Sequence, residues 1–103
     1  MDWKDCKNKK LVKEIKIDNN LKESLINQSN KKLTSANILE LNDTTATSKI
    51  SLIYDSIREL LEAIAIQRCY KIYNHECYCA FLKEIINDSE SGSTFDDFRK
   101  IRN

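Results

Sequence analysis

The segment "CYKIYNHECYC" gathers most of the side chains that could bind a metal ion, namely Cys69, His75, Cys77 and Cys79. Zinc sites are usually built from C-x2-C or H-x3-H spacings, which let the ligands converge from one side. On a helix, His75 and Cys79 share one face and Cys77 lies on nearly the opposite face, while Cys6 is far away in sequence. We therefore predict no metal site. We expect thiols that pack as small apolar groups, since disulfides are rare in the cytosol.

The last ten residues, "TFDDFRKIRN", contain a basic side chain with a different potential chemistry. On a helical wheel at about 100° per residue, Phe95, Phe98 and Ile101 form an apolar stripe, and Arg102 lies about 40° from its centre. The other two basic residues of this segment point further from the stripe. Arg102 is therefore predicted at the edge of the buried face.

A guanidinium at that edge needs a partner, because an unpaired buried charge is costly. One interpretation is that the long stem of Arg102 carries its charge to an acidic residue on a neighbouring helix. The other is that Arg102 faces a shared groove and binds an anion. The periodicity does not choose between them.

Amphipathic helices must position these residues. Leu21, Leu25 and Leu33 recur at helical spacing and predict a long helix that ends near Leu41. The polar segment 42–48 supplies N-cap candidates for a second helix, expected from about Ser48 to about Tyr70. Its apolar stripe is expected to be buried, with Arg58, Glu59 and Glu62 on the far side.

Asn74 is the predicted N-cap of a third helix. The segment "NDSESGST" should end that helix, with Gly92 as a left-handed residue in the connection. Thr94 and Asp97 have the spacing of a capping box, which predicts the start of the last helix. The fold class is thus all-α, an up-and-down bundle over residues 17–103 whose last helix looks truncated. Residues 1–16 are expected to form a basic N-terminal arm or a short helix.

Composition excludes several classes of protein. The 103 residues include no proline and one glycine, which argues against an all-β fold. No apolar run is long enough to span a bilayer and no signal peptide opens the chain, so a cytoplasmic location is expected. Residues 1–33 carry a local charge of +4, from nine lysines and five acidic residues. This third of the chain could contact phosphate or an acidic partner, or could simply be a solvated face.

The segments "SLIYDSIRELLEAIAIQRCYKIYNHECYCAFLKEI" and "FDDFRKIRN" together resemble the HEPN superfamily (higher eukaryotes and prokaryotes nucleotide-binding). The resemblance lies in a long helix with a tyrosine near its start, a "YKIYNHE" turn into the next helix, and a late helix with an arginine followed by a polar residue. It covers residues 48–103, residues 17–47 fit the preceding helix, and residues 1–16 lie outside it. The chain looks most like small prokaryotic members found beside a minimal nucleotidyltransferase.

The resemblance implies site residues. Active members are metal-independent ribonucleases that work as dimers, in which an arginine stabilises phosphoryl charge and a histidine transfers protons. By position, Arg102 is the family arginine and Asn103 is the polar residue that orients the site. His75 matches the start of a family helix, where a capping and packing role is expected. The family's catalytic histidine would lie beyond Asn103.

Three functional hypotheses follow, and none of them calls for a cofactor or a metal. The favoured one is a homodimeric module of a toxin–antitoxin-like system that binds RNA, a nucleotide or a nucleotidyltransferase partner and is catalytically incomplete as written. The alternative is a metal-independent endoribonuclease toxin whose histidine follows this chain. The last is a helical bundle without a ligand.

Overall fold

A computed structural model describes residues 1–102 of the chain. It contains α1 (Trp3–Asn8), β1 (Val12–Glu14), α2 (Asn19–Ile38), α3 (Ala46–Gln67), β2 (Tyr70–Ile72), α4 (His75–Ala80) and α5 (Ser89–Arg102). A π-helical turn at Phe81–Ile85 continues α4. The predicted all-α helical bundle is confirmed, and none of the helices in residues 1–102 is long and apolar enough to cross a membrane.

Side-chain caps begin several of these helices. The Asp18 carboxylate accepts a hydrogen bond from the backbone N–H of Leu21 at the start of α2. The Asn74 side chain accepts one from the backbone N–H of Cys77, so the N-cap predicted for α4 is confirmed. Such caps satisfy amide groups that the first helical turn leaves unpaired.

The predicted start of the last helix is wrong. α5 begins at Ser89, where the Asp88 carboxylate accepts a hydrogen bond from the Ser91 backbone N–H. Gly92 is therefore helical, and a Cβ atom there would come within 2.8 Å of Lys83 Cγ on the π-helical turn. The left-handed residue of the connection is Asn87, at φ 67°. Gly92 permits the close approach of α5.

A two-stranded antiparallel sheet was not predicted. β1 and β2 pair with Val12 opposite Ile72 and Glu14 opposite Tyr70. The expected end of the second helix near Tyr70 is therefore three residues too late, because the chain turns at Cys69, which has φ 68°. The sheet holds the segment after α1 against the segment before α4.

The core is centred on Phe81, which is fully buried beside Trp3 and Tyr70. The backbone N–H of Trp3 donates to a carboxylate oxygen of Glu84 at 2.7 Å, which fixes α1 on the π-helical turn. The first residues of the chain are thus part of the packed bundle in this structure.

The expectation of free thiols is wrong for two cysteines. Cys6 and Cys77 form a disulfide, with Cα atoms 5.9 Å apart and 71 positions apart in sequence. Packing of α1 on α4 brings them together, and no local pattern could indicate that contact. Cys69 and Cys79 remain free.

Candidate functional site

Arg102 lies at the end of α5 and stacks on an aromatic ring of α3. Its guanidinium carbon is 5.0 Å from the centroid of the Tyr54 ring, within cation–π range. The Tyr54 ring is held in turn by Phe95, whose nearly parallel ring has its centroid 5.5 Å away. Arg102 as a residue is exposed, whereas Tyr54 is buried. The last turn of α5 therefore exposes a positive charge to solvent above the stacked rings of Tyr54 and Phe95.

His75, on α4, lies beside the rings of Tyr54 and Phe95 and contacts residues of both α3 and α5. Its Nδ1 atom is 3.0 Å from the Tyr54 hydroxyl and its Nε2 atom is 3.4 Å from an oxygen of Asp96. The ring also stacks on Phe95 with 4.4 Å between centroids. Burial lowers the pKa of His75, and the charge of Arg99 lowers it further, although Asp96 opposes the shift. The imidazole is therefore neutral at physiological pH.

Asp96 is shared by several cationic groups on its own helix. Its carboxylate is 3.3 Å from Lys100 Nζ and 3.7 Å from a terminal nitrogen of Arg99. The hydrogen bond from Lys100 is the main cause of the lowered pKa of Asp96. Arg99 keeps one buried donor, Nε, for which the described part of the chain provides no acceptor. An unpaired buried donor is costly and favours an added acceptor.

We call Tyr54, His75, Asp96, Arg99 and Arg102 the arginine face. A cleft of about 210 Å³ adjoins it and runs between α3, α4 and the second strand. Arg58 lines this cleft, with a guanidinium nitrogen 3.9 Å from a carboxylate oxygen of Glu62. The combination of aromatic surface and guanidinium donors suits a planar or phosphorylated ligand.

Cys79 lies under the arginine face on the side of α4. Its sulfur is 3.5 Å from His75 Nε2, so the prediction that His75 and Cys79 share a helix face is confirmed. Burial raises the pKa of the Cys79 thiol, which is therefore protonated in the absence of a ligand.

Sequence reasoning identified part of this arrangement. Arg102 was expected at the edge of the buried face, and the structure places its guanidinium on Tyr54. Asn103 lies outside the described residues. Tyr54, Asp96 and Arg99 were missed as site residues. The spacing of Asp96 and Arg99, one helical turn apart, was a usable signal, whereas the contact of Tyr54 with His75 depends on how α3 and α4 pack.

Comparison with protein-family models, with curated proteins and with solved structures finds no match to this chain. The HEPN resemblance thus remains a prediction from the motifs.

Proposed function

We propose that this protein is a HEPN-like binding module that holds phosphate groups of RNA or of a nucleotide on the arginine face. The observation that carries the proposal is the stacking of the Arg102 guanidinium on Tyr54 next to Arg99. In this proposal the protein acts as a homodimer in a toxin–antitoxin-like system, with a minimal nucleotidyltransferase as its partner. A cytoplasmic location would make the Cys6–Cys77 disulfide an exception, because disulfides are rare in that compartment.

The two arginines provide donors that the protein itself leaves open. Among residues 1–102, no carboxylate lies within ion-pair distance of Arg102. Its contact with the Tyr54 ring engages a face of the guanidinium, and the N–H groups at its edges can donate to an acceptor. Arg99 adds its terminal guanidinium nitrogens, one of which lies 3.7 Å from Asp96. Phosphate oxygens accept charge-assisted hydrogen bonds from such a pair.

The geometry favours binding over catalysis. The two ring nitrogens of His75 already face Tyr54 and Asp96, and the imidazole is neutral. The general acid and base of an active family member would be the histidine expected beyond Asn103. The endoribonuclease is therefore the second candidate, supported by the position of Arg102 and not by a proton-transfer group on this face.

Exposed apolar surface supports the homodimer. An apolar cavity of about 530 Å³ lies between α3, the π-helical turn and α5. Ile64, on its wall, is 42% exposed, and Ile101 on α5 is 64% exposed. Burial of such surface against a second copy would contribute free energy of association.

Fluorescence anisotropy with labelled single-stranded RNA tests the binding function. We expect Arg102→Ala to weaken binding about tenfold or more, because a hydrogen bond to a charged group contributes about 1.5–3 kcal/mol. The salt dependence of the binding constant should also become shallower, by about 0.7 per lost phosphate contact. Arg68→Ala removes an exposed arginine outside the arginine face and is the matched control. Equal losses in both variants would refute a specific role for Arg102.

The same RNA incubated with the protein in EDTA separates the two candidates. Intact RNA is the expected result. Cleavage by the wild type that disappears in Arg102→Ala would favour the endoribonuclease. Gel filtration checks the homodimer, and elution as a monomer at all concentrations contradicts it.

A further inference from the structure

Three different metal-ligand side chains converge at the arginine face, namely His75 and Asp96, which belong to it, and Cys79, which lies beneath it. His75 Nε2, Cys79 Sγ and a carboxylate oxygen of Asp96 all lie within 4.8 Å of one another. His75 Nε2 is 3.5 Å from the sulfur of Cys79 and 3.4 Å from an oxygen of Asp96. A nitrogen, a sulfur and an oxygen donor therefore surround one point.

These separations match those of ligands around tetrahedral zinc. With Zn–N near 2.0 Å and Zn–S near 2.3 Å, tetrahedral angles place the nitrogen about 3.5 Å from the sulfur and about 3.4 Å from an oxygen ligand. The two distances from His75 Nε2 already have these values. The Cys79 sulfur and the Asp96 oxygen lie within 4.8 Å of each other, so a small side-chain movement would complete the site. We propose that His75, Cys79 and Asp96 form a Zn²⁺-binding site, a property beyond the proposed phosphate binding.

The fold holds the ligands in place. His75 and Cys79 are one helical turn apart on α4, and α5 supplies Asp96. Phe95 stacks on the imidazole, and the Tyr54 hydroxyl lies 3.0 Å from the ring nitrogen that faces away from the metal position. A hydrogen bond at that second nitrogen is the usual way in which proteins orient a metal-bound histidine.

The chemistry of the donors favours zinc over other divalent cations. Imidazole and thiolate suit Zn²⁺, whereas Mg²⁺ and Ca²⁺ prefer oxygen ligands only. On binding, the Cys79 S–H bond breaks, the proton leaves to solvent and a Zn–S bond forms, with no change of oxidation state. The thiolate and the Asp96 carboxylate then balance the charge of the ion. Three protein ligands leave the fourth position for water or another small ligand.

The neighbouring cations do not block the site. Lys100 is an exposed side chain, 64% accessible, and can move away from Asp96 into solvent. Arg99 contacts Asp96 through one terminal nitrogen only, at 3.7 Å. When Asp96 coordinates zinc, Lys100 and Arg99 lose this carboxylate as a partner and turn toward solvent.

Titration with Co²⁺ tests the site, because thiolate coordination gives an intense charge-transfer absorption that oxygen and nitrogen ligands do not. The protein is used with the Cys6–Cys77 disulfide intact, so that Cys69 and Cys79 are its two free thiols. We expect saturation at one equivalent with a sulfur-to-cobalt band that Zn²⁺ abolishes by competition.

Two variants and a control make the result decisive. Cys79→Ser should remove the band, whereas Cys69→Ser, which changes the exposed thiol, should keep it. Asp96→Asn tests the site without altering a buried residue. Loss of a group that only supports a ligand costs about 10–100-fold in metal affinity, so loss of the ligand Asp96 itself should weaken Co²⁺ binding about 100-fold or more. Absence of the band in the wild type, its persistence in Cys79→Ser, or unchanged affinity in Asp96→Asn would each overturn the proposal.

Discussion

Polar side chains cluster in two regions of this protein, and they are paired in different ways. We call Ser29, Lys32, Ser56 and Glu59 the α2–α3 seam. There the Ser29 and Ser56 hydroxyls lie 2.7 Å apart, and one donates to the other. Each hydroxyl is also within hydrogen-bond distance of the other residue's backbone carbonyl, so the second proton has an acceptor. Lys32 forms an ion pair with Glu59, which is only 3% exposed.

The arginine face has the opposite character. One carboxylate, that of Asp96, contacts the side chains of Arg99, Lys100 and His75. Arg102 contacts the Tyr54 ring instead of a carboxylate. Each region contains one buried polar atom that has no partner in residues 1–102, Oε2 of Glu59 and Nε of Arg99. The seam pairs opposite charges one to one, which suits a structural contact. The arginine face has spare donors, which suits a ligand.

The largest effect that tests this contrast is expected in the seam. Lys32→Met leaves the Glu59 carboxylate buried without its cation, and should lower the free energy of unfolding by about 3 kcal/mol. Lys100→Met, which removes an exposed lysine paired with Asp96, should change it by less than about 0.5 kcal/mol. Urea denaturation of both variants measures the difference. Similar losses would show that the two regions do not differ as described.

A smaller effect is expected from the two serines. Ser29→Ala and Ser56→Ala should each cost about 1 kcal/mol, because each removes one partner of a buried hydrogen bond. The double variant should cost less than the sum, since it leaves no hydroxyl without its partner. A thermodynamic double-mutant cycle gives the coupling energy. Strict additivity would mean that the hydroxyls do not act as a pair.

The smallest effect concerns the pH dependence of stability. The pKa of His75 is lowered in the folded protein, mainly by burial and then by Arg99, against the opposing effect of Asp96 and Glu76. The unfolded chain, with a histidine pKa of about 6.5, therefore binds more protons than the folded protein near that pH. The free energy of unfolding should therefore fall as the pH drops below about 6.5 toward the lower pKa that His75 has in the folded protein.

Denaturant titrations in EDTA, at a series of pH values from neutral to mildly acidic, measure the slope of the free energy of unfolding against pH. His75→Gln should flatten it while keeping a hydrogen-bonding side chain at the position. Asp88 and Asp96 have lowered pKa values, so their contribution to stability is lost only as the pH falls below about 3.9, the ordinary pKa of an aspartate. An unchanged slope in His75→Gln would assign the pH dependence to another group.

Much of the bundle could be predicted because its signals are local. The long helices follow from apolar spacing, and the cap at Asn74 follows from one side chain and the amide three residues later. Errors arose where a contact between distant segments overrides the local pattern. Glu59 was expected on the outer side of its helix, yet it is buried because α2 packs there and supplies Lys32. The capping box expected at Thr94 does not begin α5, because the Asp88 side chain caps the helix six residues earlier.

The amino-acid sequence alone shows which residues share a face of one helix. Periodicity carries that information, and it places His75 with Cys79 on α4 and Arg102 near the apolar stripe of α5. Which helices meet follows from their packing in three dimensions. The packing of α3, α4 and α5 brings both Tyr54 and Asp96 to His75, and the packing of α1 brings Cys6 to Cys77. Helical spacing repeats along one segment and says nothing about which neighbour covers it.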